Sequence, residues 1–85
     1  MKMWYVYILQ NKSKDFTYTG CTGNLPKRVA EHTGGLVQVT KAYLPLQLVA
    51  YIAVSSKEKA YALEKYFKTG SGKAILNKRI LGKTK

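Results

Sequence analysis

The feature that most constrains the fold of this chain is a pair of aromatic, β-branched stretches near its start. Trp4–Leu9 and Phe16–Cys21 are both rich in residues that favour strands. The polar cluster Asn11–Asp15 between them is typical of a turn. The two stretches therefore predict an antiparallel hairpin, which brings Tyr7 of the first strand near Tyr18 of the second.

A first helix is predicted directly after the hairpin. Asn24 is a good N-cap, and Pro26 falls in the first turn, where its missing N–H does no harm. The Gly-Gly pair at 34–35 ends the helix. Arg28 and His32 are four residues apart, so they lie on the same side of this helix.

The middle of the chain predicts a loop and a third strand. Residues 36–45 have no clear period and lead to a proline, which favours a loop. Leu46–Val54 is almost continuously apolar, and such a run is typical of a strand in the centre of a sheet.

Two further helices are predicted in the last third of the chain. Ser55 and Glu58 match a capping box, and the helix that they start continues to about Lys68. A Gly-Ser-Gly break follows, and Ser71 is expected to cap a last helix that ends near Leu81. Glu64 lies beside the apolar stripe of the earlier helix rather than opposite it.

Length and charge indicate one small domain with a polyanionic partner. A chain of 85 residues has room for a single domain, here 1–85, with a core at about 4–81 and a short basic tail that contains Lys83 and Lys85. Fifteen Lys and Arg against four Asp and Glu give a net charge of +11. Such an excess attracts nucleic acid at long range. The 46% of hydrophobic residues favours a packed globule over a disordered tail.

Composition also excludes several classes of protein. One cysteine and one histidine, Cys21 and His32, exclude an internal disulfide and a Cys-rich or multi-His metal site. Four acidic residues allow at most a metal site with a single carboxylate ligand. No run of 18 apolar residues occurs, and the start is unlike a signal peptide, so we expect a cytoplasmic protein without a membrane partner.

Five positions in order along the chain carry a resemblance to a known family. Tyr5-Val6-Tyr7 is followed by Tyr18-Thr19-Gly20, and then by Arg28, His32 and Glu64. Together they resemble a GIY-YIG nuclease domain, in its small stand-alone bacterial form, which is related to the catalytic domain of the incision subunit of nucleotide excision repair. The resemblance implies an α+β fold, in which a three-stranded antiparallel sheet is flanked by helices in the order β-β-α-β-α-α.

The same resemblance implies a function and a set of site residues. The function is a metal-dependent endonuclease that hydrolyses DNA phosphodiester bonds, with branched or damaged DNA in repair or recombination as the expected substrate. The implied cofactor is Mg²⁺ or Mn²⁺ on Glu64. The implied catalytic residues are Tyr7, Tyr18, Arg28, His32 and Glu64. The candidate contacts to nucleic acid are Tyr5, Lys27, Arg28, Lys41 and Asn77.

These residue types suit phosphodiester hydrolysis. An ion on Glu64 offsets negative charge on the phosphoryl oxygens, and Arg28 can donate two hydrogen bonds to them. A tyrosine can deprotonate the attacking water, although a phenolate at pH 7 costs about 4 kcal/mol before the positive field of the chain lowers that cost. His32 is the alternative base, because its ordinary pKa is near neutrality.

Simpler interpretations of the same residues stay open. The tyrosines are also common sheet aromatics, Gly20 also suits the end of a strand, and Glu64 is spaced to pair with Lys68. Two other functions are alternatives: a nucleic-acid-binding module without turnover, and a dimerising accessory protein. The apolar segment 36–44 would bind a second copy or a protein partner in the latter case.

Overall fold

The computed structural model describes residues 2–82 and contains one antiparallel sheet of three strands. The strands are β1, Trp4–Asn11; β2, Thr17–Thr22; and β3, Leu46–Val54. Their order in the sheet is β2-β1-β3. The predicted hairpin is confirmed, with Tyr7 opposite Gly20 and Leu9 opposite Tyr18.

Four α-helices accompany the sheet, which confirms the α+β class. They are α1, Leu25–Thr33; α2, Gln38–Lys41; α3, Lys57–Phe67; and α4, Gly70–Ile75, which continues into a π-helical turn at Leu76–Ile80. Within residues 2–82 no helix has the length and apolar character needed to cross a bilayer. The predicted basic tail at Lys83 and Lys85 lies outside the described residues.

Strand β1 is buried on both of its faces because helices cover the sheet from both sides. Val6 and Ile8 point to one side and pack with Ala60 and Phe67 of α3. Tyr7 points to the other side, towards α1. The alternation of side chains along this strand therefore divides the molecule into an apolar core on one face and a polar cluster on the other.

Strand β3 lies at an edge of the sheet, and its predicted central position is wrong. The hairpin partner β2 pairs with one side of β1, and β3 pairs with the other side. Both α1 and α3 contact β3. Because a helix covers part of each face of β3, an apolar run suits this strand. The cover is incomplete, as an edge strand allows, and Tyr51 stays exposed.

Two boundaries differ from their predicted positions. The segment 36–45 is not all loop, because it contains the short helix α2, in which Thr40 is buried. The N-cap of α3 is Ser56 rather than Ser55, since the Ser56 hydroxyl accepts the hydrogen bond from the Lys59 backbone N–H at 3.2 Å. Asn24 caps α1 as predicted.

The corner between α3 and α4 is formed by Thr69 and Gly72. Helix α3 ends at Phe67, and the Thr69 side chain, not Ser71, accepts from the Gly72 N–H to cap α4. A Cβ on Gly72 would overlap the Tyr66 carbonyl oxygen. The Gly-Ser-Gly sequence is therefore the tightly packed first turn of α4 and not a break between helices.

Candidate active site

The Tyr7 ring lies across the backbone of the opposite strand. Tyr7 is 1% exposed, and its cross-strand partner is Gly20. A Cβ on Gly20 would lie 2.5 Å from the Tyr7 hydroxyl and 3.1 Å from the Tyr18 ring. Gly20 is thus in the middle of β2, where the absence of a side chain makes room for the two phenols.

A chain of buried hydrogen bonds runs from Tyr7 through His32 to Thr40. The Thr40 hydroxyl donates to the Val37 carbonyl oxygen at 3.5 Å, so it accepts from His32 Nδ1 at 2.8 Å. This assignment leaves His32 Nε2 to accept from the Tyr7 hydroxyl at 2.9 Å. The chain fixes the direction in which the Tyr7 O–H points.

His32 is completely buried, and both of its ring nitrogens are used in this chain. Burial lowers the pKa of His32, and the nearby Arg28 lowers it further, so the ring is neutral. A ring in this position does not contact solvent. The alternative in which His32 deprotonates the attacking water directly therefore does not fit the structure.

Tyr18 is the more accessible of the two phenols. Its ring centroid lies 6.3 Å from that of Tyr7 and 5.1 Å from that of His32. It is partly exposed and lines a surface hollow together with Lys68 and Asn77. The predicted proximity of Tyr7 and Tyr18 is confirmed, and the hollow gives Tyr18 contact with solvent.

Arg28 connects the first helix with Tyr7. Its Nη1 atom donates to Glu31 Oε1 at 2.9 Å, and both side chains are partly exposed. Burial raises the pKa of Tyr7, whereas the neighbouring Arg28 guanidinium lowers it without cancelling the effect of burial. Positive charge therefore eases the ionisation of Tyr7 as expected, but burial of the hydroxyl has the larger effect, and the pKa is raised.

Glu64 reaches the same region from α3. Its carboxylate is 19% exposed and accepts from Lys68 Nζ at 2.7 Å, so the pairing that its spacing allowed does form. Lys68 Nζ also lies 6.0 Å from the Tyr18 ring centroid. Because the same Lys68 ammonium is bonded to Glu64 and lies beside the Tyr18 ring, the carboxylate is on the side of the molecule that carries the aromatic pair.

Cys21 lies on β2 and is a neighbour of Glu64 in α3. Burial raises the pKa of its thiol to about 12, and a hydrogen bond to Glu64 contributes to the increase. At neutral pH the side chain is a protonated thiol, so it is not a nucleophile.

The remaining candidate residues occupy different parts of the surface. Lys27 lines a second hollow together with Arg28, and Asn77 lies in the π-helical turn beside the hollow that contains Tyr18. Tyr5 is partly buried in β1 against Tyr51. Lys41 is exposed at the end of α2 and lines neither hollow.

Sequence reasoning missed two residues that position the site. Glu31 pairs with Arg28, and the spacing of three residues on one helix was an available signal. Thr40 hydrogen-bonds His32 from the segment interpreted as a loop. No local signal marks Thr40, because its role depends on a contact between separate elements.

Comparison with known proteins agrees with the fold. The profile of the GIY-YIG catalytic domain matches residues 3–79. The UPF0213 protein SpyM50708 of Streptococcus pyogenes serotype M5 (strain Manfredo) is 40% identical over 68 residues, which are 79% of this chain and 73% of that protein. The UPF0213 protein YsiG of Lactococcus lactis subsp. lactis (strain IL1403) is 38% identical over 69 residues, which are 80% of this chain and 65% of that protein.

A solved structure is similar as well. The solution NMR structure of the UPF0213 protein BH0048 from Bacillus halodurans is 34% identical, with a TM-score of 0.54 over 89% of this chain and 83% of that chain. The chain belongs to the GIY-YIG catalytic domain family, which is a family of nucleases.

Proposed function

We propose that this protein is a divalent-metal-dependent endonuclease that hydrolyses phosphodiester bonds in DNA. The observation that carries the proposal is the arrangement around Tyr7. Its hydroxyl is hydrogen-bonded to His32 at 2.9 Å, and the Arg28 guanidinium lies beside it. Its ring lies 6.3 Å from that of Tyr18, which is in turn 6.0 Å from the Lys68 ammonium that Glu64 binds. The net charge of +11 supports a polyanionic substrate.

The donor set around Glu64 suits a hydrated Mg²⁺ or Mn²⁺. The described residues contain no group of three His, Cys, Asp or Glu side chains that would enclose an ion. Mg²⁺ is often bound by one or two carboxylates together with substrate phosphate and water, so a single carboxylate is sufficient. Glu64 already binds a cationic group, the Lys68 ammonium, at 2.7 Å. A bound ion would stabilise negative charge on the phosphoryl group.

Arg28 is proposed to bind the phosphoryl oxygens. A guanidinium has five N–H donors, and Glu31 accepts from the Nη1 atom. The remaining donors can form the paired hydrogen bonds that recognise a phosphate. Glu31 then orients the guanidinium and acts as a positioning residue.

Tyr18 is proposed to deprotonate the attacking water, and Tyr7 is proposed to hold Tyr18 in position. Tyr18 reaches the hollow, whereas Tyr7 is enclosed and its pKa is raised by burial. Tyr7, His32 and Thr40 form a hydrogen-bonded support behind Tyr18. This division of roles gives the accessible phenol the chemical step and leaves the buried one with a structural task.

The second candidate function is a nucleic-acid-binding module without turnover. The ion pair between Glu64 and Lys68 favours it, because the ammonium neutralises the carboxylate that the nuclease would need for its metal ion. Both candidates need the basic surface. Only the nuclease needs a carboxylate that exchanges an ammonium for a metal ion.

The test compares Glu64→Gln with Glu58→Gln on linear, nicked and branched DNA in Mg²⁺ or Mn²⁺. Glu58 is an exposed acid in the first turn of the same helix, so the control changes the net charge equally. We expect Glu64→Gln to lower the cleavage rate by about 10²-fold or more while DNA binding persists, and Glu58→Gln to cleave normally. Absence of cleavage by the unmodified protein on every substrate, with salt-sensitive binding intact, would favour the binding module.

A further inference from the structure

Two tyrosines form a pair on the sheet face that carries Tyr7. Tyr5 precedes Tyr7 by two residues on β1, and Tyr51 lies directly opposite Tyr7 on β3. Alternation along a strand and pairing across strands both keep side chains on one face. The rings of Tyr5 and Tyr51 meet edge to face, with centroids 6.0 Å apart and an interplanar angle of 68°.

Burial in the core does not explain Tyr51. Its side chain is 54% exposed, on an edge strand whose other residues are mostly small or aliphatic. The ring of Tyr5 contacts it on one side, and about half of the Tyr51 residue faces solvent. A rigid aromatic ring held in this way presents a flat apolar surface at a low cost in side-chain entropy.

Basic residues lie next to the pair formed by Tyr5 and Tyr51. Thr22 of β2 lies opposite Tyr5, and it lines a hollow in which the cations Lys2, Lys27 and Arg28 outnumber the one carboxylate, that of Glu31. From Tyr51 through Tyr5 to Thr22 the path crosses two strand spacings, or roughly 10 Å. At about 3.4 Å per stacked nucleotide, this distance corresponds to about three nucleotides.

We propose that Tyr51, supported by Tyr5, binds an unpaired base of the DNA substrate by stacking, while the basic hollow binds the adjoining phosphates. The inference rests on the proposed function, since it specifies which form of DNA the same site takes. Aromatic rings combined with a basic groove are the usual means of binding single strands. A base inside a duplex has both faces covered by its neighbours, so a fully paired substrate gives Tyr51 nothing to stack on except at its two ends.

The inference is tested by measuring DNA binding in the presence of a chelator, which prevents metal-dependent cleavage. Fluorescence anisotropy would compare a single-stranded oligonucleotide, the same sequence as a blunt duplex, and a duplex with a single-stranded flap. We expect Tyr51→Ala to weaken binding of the single strand and the flap by about tenfold or more, with duplex binding unchanged. Tyr51→Phe should keep the affinity, because the ring and not the hydroxyl makes the stack.

Tyr61→Ala is the matched control. Tyr61 is 51% exposed and contacts Trp4, whose side chain lies on the opposite face of the sheet. An equal loss of affinity in Tyr51→Ala and Tyr61→Ala would overturn the inference, as would a Tyr51→Ala protein that binds single strands normally. Tighter binding of the matching RNA oligonucleotide would overturn the assignment to DNA.

A photocrosslinking experiment on the unmodified protein avoids dependence on the folding of any variant. A 5-iodouracil placed in the flap should crosslink to Tyr51, as mapped by mass spectrometry, and crosslinks only elsewhere would contradict the inference. A protein that binds none of the DNA forms would instead contradict the proposed function. A change in mass by light scattering for Tyr51→Ala would show that this surface joins copies of the chain, and would overturn the stacking role.

Discussion

Individual residues decide how the site is built, and Gly20 shows this most directly. Replacing Gly20 by Ala would place a methyl group 2.5 Å from the Tyr7 hydroxyl, so the ring must move. We expect Gly20→Ala to lower the free energy of unfolding by about 1–3 kcal/mol, as overpacking generally does. Chemical denaturation would measure the change.

A double-mutant cycle separates this effect from general strain in β2. In a Tyr7→Phe background the hydroxyl is absent but the Cζ atom still lies 2.7 Å from the added methyl group, so Gly20→Ala should cost less than in the parent protein and should still destabilise. Equal costs in the two backgrounds would show that the Tyr7 hydroxyl is not the atom that limits space at this position.

His32 makes the stability of the protein depend on pH. Its pKa in the folded protein is lowered by burial, so the unfolded chain binds a proton more readily. The stabilisation is complete above the unfolded pKa of about 6.5 and is lost as the pH falls towards the folded value. Denaturation midpoints from pH 7.5 to 5 should therefore decrease.

The sequence makes this measurement simple to interpret, because His32 is the sole histidine of the chain. A His32→Gln variant should be less stable at neutral pH, since a buried hydrogen-bonded ring is lost. It should also lack the decrease between pH 7.5 and 5. An unchanged pH profile in His32→Gln would mean that another group titrates in this range.

At the scale of elements, local signals predicted most of the fold and contacts between elements decided the rest. The hairpin and the Asn24 cap depend on neighbouring residues, and both appear as expected. The edge position of β3 depends on which strand occupies the centre of the sheet, here β1, and the apolar run of β3 does not carry that information. The partnership of Thr40 with His32 joins α2 to α1 and is equally invisible to local patterns.

In the candidate site, too, local signals predicted some features and contacts between elements decided the others. The proximity of Tyr7 and Tyr18 followed from strand pairing, which the polar turn between them indicated. The complete burial of His32 and the raised pKa of Tyr7 did not follow, because burial depends on the helix that packs over the sheet. Residue types and spacing predicted that Tyr7 and Tyr18 lie together, but not how far each side chain is exposed to solvent.

The corner between α3 and α4 gives a prediction at the element scale. Gly72→Ala would place a methyl group on the Tyr66 carbonyl, and backbone there cannot turn aside. We expect a loss of about 3 kcal/mol or more in the free energy of unfolding, at the upper end of overpacking effects. The midpoint of thermal or urea unfolding would show it.

Gly70→Ala is the control for this corner, since Gly70 is in the same helix and a Cβ there meets no atom within 4 Å. Its stability should be equal to that of the parent or slightly higher, because alanine favours helix. If both alanine variants unfold at the same point, the close packing of α4 on α3 does not limit stability.

The molecule as a whole is thin and strongly basic, which sets how it binds DNA. Its extents are 36 × 31 × 17 Å. At about 3.4 Å per base pair the long axis covers about ten base pairs, so we expect roughly four to six phosphate contacts. The plot of log K against log salt should then have a slope of about −4 to −5, as measured by anisotropy in a chelator.

A slope near zero would contradict this prediction. It would mean that the excess of Lys and Arg is spread over the surface without a common face for a polyanion. Lys27→Ala should reduce the slope by about one, because Lys27 lines the hollow with Arg28 and is expected to contact a phosphate.

The open side of β3 has a consequence for the protein in concentrated solution. Leu46–Val54 contains neither charge nor proline, the two features that usually keep edge strands apart. Electrostatic repulsion between molecules that each carry a net charge of +11 keeps these edge strands apart instead. Added electrolyte screens this repulsion. Concentrated stocks should therefore be clearest at low ionic strength and turn cloudy as salt rises, the reverse of ordinary salting-in.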